Sequence, residues 1–195
     1  MYKASGVLGE REGYPDFDFK EGYRIELKGL FKNNPNLSLK CPPTPREASA
    51  RLTQKVTKKN VKPDNDFLLL VCYELSISSK DKNSVTPKII DFQVFPVIEL
   101  VEARDSRLIS SNGMWFGNYE TPVILSKRGK EKVKSGIAPD KSGYGRKESE
   151  GYDFNEDTNF GKMKRIPHKQ LQLFLKKHDN SYIKKGDYPI PWTIS

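Results

Sequence analysis

The chain has 195 residues, 35% of them hydrophobic and 30% charged, with a formal charge of +9 and a mean hydropathy of −0.71. That length is ample for one buried core, and the longest apolar run, "FLLLVCY" at 67–73, falls far short of the roughly 20 residues a membrane-spanning helix needs. No apolar leader opens the sequence, so we expect an intracellular, cytoplasmic protein with no membrane segment. Two cysteines, Cys41 and Cys72, make no disulfide framework, and two histidines argue against a structural zinc centre. The basic balance points to an anionic partner, most simply nucleic acid.

In chain order, "PDFDFKE" alternates Asp16, Asp18 and Lys20 with Phe17 and Phe19. "YRIELKGLF" does likewise, setting Arg24, Glu26 and Lys28 against Tyr23, Ile25 and Leu27. With Gly22 as a turn residue, the two segments predict an antiparallel hairpin that buries Phe17, Phe19, Ile25 and Leu27 and exposes a polar face. "TPREASARLTQKVTKKN", 44–60, carries helix signals: Thr44 as a cap, Pro45 in the first turn, and Ala48, Leu52 and Val56 at intervals of four. "DFLLLVCYEL" predicts a strand buried on both faces, and "KIIDFQVFPVIEL" a further strand broken or bulged at Pro96. "RLISSNGMWFGNYETPVILS" reads as loop and short strand, 135–161 as a long loop, 167–178 as a short helix burying Leu171, Phe174 and Leu175, and the tail as extended.

The chemistry lies in the hairpin. Glu26 and Lys28, two apart on a strand, point to one side, and Asp16 on the preceding strand can converge on them. Two neighbouring carboxylates repel, and a divalent cation removes that cost. Mg2+ takes oxygen ligands, so Asp16, Glu26 and the Leu27 backbone carbonyl suit it, with Lys28 placed to orient or deprotonate a water whose pKa the ion lowers.

Pro15-Asp16 and Glu26-Leu27-Lys28 together resemble the PD-(D/E)XK nuclease superfamily. The resemblance implies an α/β (α+β) protein with a restriction-endonuclease-like mixed central sheet flanked by helices. It implies Mg2+ held by Asp16 and Glu26, and catalysis by Lys28. It covers residues 13–100 as a nuclease core of a single domain and leaves 101–195 as a loop-rich basic extension for recognition and dimerisation. Asp18 shares the face of Asp16, and the Pro-Asp match favours Asp16 as the ligand. A second Pro-Asp, Pro63-Asp64, precedes Glu74 at the same separation, but Ser76 replaces the lysine. Many family members place a helix ahead of the hairpin, whereas Glu10 and Glu12 are the only acids upstream of Pro15 here.

Residues 126–147 hold eight Lys/Arg against Glu131 and Asp140. Lys127, Arg128, Lys130, Lys132, Arg146 and Lys147 are therefore expected to neutralise phosphates. Such an extension resembles the recognition region of a type II restriction endonuclease, a homodimer that cuts both strands of double-stranded DNA. A Holliday-junction resolvase or repair nuclease of the same core, or a non-catalytic DNA-binding protein, are the alternatives.

Overall fold

The computed structural model describes residues 2–4 (backbone), 14–31, 50–80, 85–115, 123–145 and 160–178. Among them are five strands, β1 (Tyr2–Ala4), β2 (Phe17–Phe19), β3 (Arg24–Phe31), β4 (Asp66–Ile77) and β5 (Val85–Pro96), and three helices, α1 (Val97–Ser110), α2 (Lys127–Lys134) and α3 (Lys169–His178). The strands form one mixed sheet in chain order, antiparallel except for the parallel pair β3 and β4, so the class is α+β.

The β2–β3 hairpin closes through Phe19–Tyr23. Gly22 there has φ of +91°, a left-handed conformation that side chains resist, and its N–H donates to the Phe19 carbonyl at 2.9 Å. The register pairs Phe17 with Ile25 and Asp18 with Arg24. Across β3 and β4, Glu26 lies beside Leu68, Lys28 beside Leu70 and Leu30 beside Cys72. One sheet face thus carries Glu26, Lys28, Leu30, Leu68, Leu70, Cys72 and Phe95, and α1 packs against β4 and β5.

The expected burial of the hairpin is inverted. Glu26 is only 6% exposed and Leu27 is 40% exposed, while Phe17, Phe19 and Ile25 are half-buried. The polar residues of β3 face the core-bearing side, whose cover is α1 and the chain at 50–61. The strand β4 is likewise fully buried on one face only: Leu68, Leu70 and Cys72 are buried, whereas Phe67, Leu69, Val71 and Tyr73 are half-exposed. Beside them Phe92, at 61% exposed, and Val94 extend an apolar outer face.

Three further expectations need correction. Residues 50–60 of the predicted 44–60 helix are irregular, and residues 44–49 lie outside the described residues. Leu52 and Val56 are nonetheless buried, because the chain finds other partners for its polar groups. Leu52 N–H donates to the Gly161 carbonyl at 2.8 Å, and the buried Arg104 of α1 donates to the carbonyls of Leu52 and Thr53 at 3.2 and 2.7 Å. Pro96 does not interrupt a strand: it ends β5 and caps α1, where its fixed φ suits a helix start. The sheet irregularity falls instead between Cys72 and Tyr73. Residues 107–110, expected in a loop, are the last turn of α1, and 127–134 form α2.

The division at residue 100 cuts through α1. Val123, Leu125, Val133, Tyr144, Phe160 and Met163 join the same hydrophobic cluster as Leu52, Leu68 and Leu70, so the described part of 101–195 belongs to the core. The helix α3 forms over 169–178 with Leu171, Phe174 and Leu175 buried. It is tied at both ends, through His168 to Glu99 at 3.0 Å and through Lys177 and His178 to Asp91 at 2.9 and 2.7 Å. Cys72 is buried in the core at 1% exposure; Cys41, Glu10, Glu12 and the segment expected as an extended tail lie outside the described residues.

Helix α2 docks on the turn at 141–143 through Gly129, where an added Cβ would meet the Gly143 carbonyl oxygen at 2.0 Å. Gly129→Ala is therefore expected to cost about 1–3 kcal/mol in urea unfolding despite the better helix propensity of alanine, as overpacking does. An unchanged midpoint would show that this contact does not hold α2.

Candidate functional site

Asp16 precedes β2, and one further step of the hairpin register sets it opposite Glu26. Its carboxylate Oδ2 accepts the Leu27 backbone N–H at 2.7 Å, which anchors it between the two other residues of the motif. Lys28 Nζ pairs with Glu26 Oε1 and lies 3.8 Å from Asp16 Oδ2. The structure therefore brings Asp16, Glu26 and Lys28 to one place, with the ammonium shared by the two acids. Asp18 is exposed and stands two pairs further along, across from Arg24.

Glu26 sits where the polar site meets the core, next to Leu68. Burial pushes its pKa up, and the Lys28 ammonium partly offsets this. Its second oxygen, Oε2, is buried without a hydrogen-bond partner among the described groups. A buried, unsatisfied carboxylate oxygen is costly unless something binds it. That orphan oxygen and the Asp16 carboxylate are hard donors that fit Mg2+, and Leu27 directly follows Glu26 in β3. The rest of an octahedron would come from water, phosphate and carbonyl oxygens; among the described residues no group of three or more His, Cys, Asp or Glu gathers to hold a metal alone. Mg2+ there would supply polarisation of a phosphoryl oxygen and a more acidic water.

Around this site lies a cluster that the sequence did not disclose. Asp66, the first residue of β4 and only 1% exposed, accepts from Tyr14 Oη at 2.5 Å, from Arg24 Nε at 2.6 Å and Nη2 at 2.5 Å, and from the Lys62 N–H at 2.9 Å. The Arg24 guanidinium also lies 5.5 Å from the centre of the Tyr14 ring. Burial first, and then the bond to Asp66, push the Tyr14 phenol above its ordinary range, so it remains a donor. An acid opening an apolar strand was the available signal, but its partners are 42 and 52 residues away in sequence.

The second Pro-Asp pair makes no such site. Asp64 sits in an exposed turn ahead of β4 and Glu74 pairs with Lys88 far along that strand, about eight strand residues or roughly 26 Å from its start. Of the expected phosphate contacts, Lys127, Arg128 and Lys130 are exposed on α2, and Lys132 is half-buried and 3.3 Å from Asp140. Arg146 and Lys147 lie outside the described residues. Among the described residues no helix is long and apolar enough to cross a membrane. In comparisons with known proteins, no family model matches the chain, and no match was found among curated proteins or among solved structures.

Proposed function

We propose that this protein is a Mg2+-dependent endonuclease of the PD-(D/E)XK type that hydrolyses phosphodiester bonds of double-stranded DNA, sequence-specifically and as a homodimer, in the manner of a type II restriction enzyme. The observation that carries the reading is the meeting of Asp16, Glu26 and Lys28, with Lys28 between two carboxylates and one oxygen of Glu26 left over. A charged strand exposed to solvent has no reason to bury its glutamate. The restriction-endonuclease-like fold is supported by the hairpin that bears the motif and by the crossover that brings β4 parallel beside β3.

In this reading Asp16 and Glu26 hold the cation. Lys28, within reach of both, steadies the negative charge that develops on the phosphate and orients the attacking water. The exposed cations of α2 serve the DNA backbone, which fixes the register of the protein without reading sequence.

Plasmid DNA incubated with the protein and Mg2+ tests this directly. Discrete fragments that vanish on adding a chelator are the expected result. Selective cutting of four-way junctions would move the assignment to a resolvase, and retarded but intact DNA would leave a binding protein without catalysis.

A further inference from the structure

We propose that Asp66 is a positioning residue of this site, acting through Tyr14 and Arg24 to set Asp16 and Glu26 against one another. The proposal rests on the reading of Asp16 and Glu26 as the working acids. Tyr14 stands two residues before Asp16, and Arg24 stands two residues before Glu26 on the same strand face. One carboxylate on a third segment, β4, grips both at 2.5–2.6 Å. The two acids thus approach each other from chain segments that are pinned to a common point one step away.

The need for such a pin follows from the geometry of Asp16. Asp16 lies ahead of β2 at a bend, outside the strand register that pairs Phe17 and Asp18 with β3. The bond its side chain accepts from Leu27 N–H holds only if the chain entering at Tyr14 arrives at the right height above β3. The Tyr14 hydroxyl sets that height. Arg24 adds a second tie: its Nη2 also donates to the Asn60 carbonyl at 2.9 Å, and its own N–H donates to the Asn65 carbonyl at 2.8 Å. The start of β3 is thereby fixed to the chain that leads into β4. A charge-assisted, bidentate Arg–carboxylate pair has the directional stiffness this task requires.

The Leu27 amide reports the effect without metal or DNA. Tyr14→Phe keeps the ring under Arg24 and removes only the hydroxyl. Its Leu27 amide, followed by NMR-detected hydrogen exchange in the full metal-free chain, is expected to exchange about tenfold faster, the population change that one charge-assisted hydrogen bond supports. The amide of Leu70, in the middle of the sheet, is expected to keep its rate. Asp66→Asn should accelerate Leu27 at least as much. Unchanged Leu27 exchange in Tyr14→Phe would overturn the proposal, and so would equal acceleration of Leu27 and Leu70, which marks mere loss of stability. A wild-type protein that cuts no DNA would instead remove the nuclease reading and leave the exchange result standing.

Discussion

Asp16→Asn is expected to lower Mg2+-dependent cleavage of plasmid DNA by about three orders of magnitude while leaving DNA retardation in a gel nearly unchanged, a size usual for losing a group that acts on developing charge. The substitution is mild in shape. An asparagine carbonyl can still accept the Leu27 N–H that Asp16 accepts at 2.7 Å, so the hairpin keeps its form and loses only charge. Glu26→Gln should behave alike, since in the proposed reading the two carboxylates hold the cation together. The DNA affinity, in contrast, is expected to depend on cations such as Lys127, Arg128 and Lys130, which lie on α2. Cleavage by Asp16→Asn at the wild-type rate would remove this site from the chemistry.

Lys28→Met is expected to move metal binding and catalysis in opposite directions. In the metal-free protein Lys28 is the counter-cation of the site, paired with Glu26 and 3.8 Å from Asp16. A divalent cation that takes both acids has to displace that ammonium, and removing it leaves two carboxylates whose repulsion only the metal relieves. Titration with Mn2+ should therefore show affinity higher by roughly fivefold to tenfold, the equivalent of about 1 kcal/mol for a partly exposed charge pair. It is best measured at mildly alkaline pH, because burial already raises the pKa of Glu26 and loss of the lysine raises it further. Cleavage should fall by about a hundredfold or more, since no proton-handling cation remains. A solvated charged hairpin gives neither effect, and wild-type values for both would refute the assignment of Lys28.

The hairpin and its constellation were legible because a period of two says which residues share a face, and Asp16, Glu26 and Lys28 do. Alternation does not say which face is covered, and the choice of Ile25 and Leu27 as the buried pair failed there. The cover is α1, and its signal was masked. Pro96 inside an apolar run, followed by the branched Val97 and Ile98, reads as a continuing strand, although Val97, Leu100, Val101, Arg104 and Leu108 fall at helical spacing and are buried. The 44–60 segment erred in the other direction. Leu52 and Val56 are buried as their spacing suggests, yet Thr53, Val56, Thr57 and Val61 are branched, and the Asn60 side chain accepts the Thr57 N–H at 2.8 Å, a turn that competes with a helix. The role of Asp66 could not be read locally at all, since it depends on three segments meeting.

Leu27 joins the two sides of the sheet. Its side chain stands on the outer apolar face with Val94 and Phe92, while its backbone N–H holds Asp16 on the inner one. The outer surface and the acids Asp16 and Glu26 are thus separated by the thickness of a single residue. The back of the sheet and the acid cluster at its front therefore share one strand, β3.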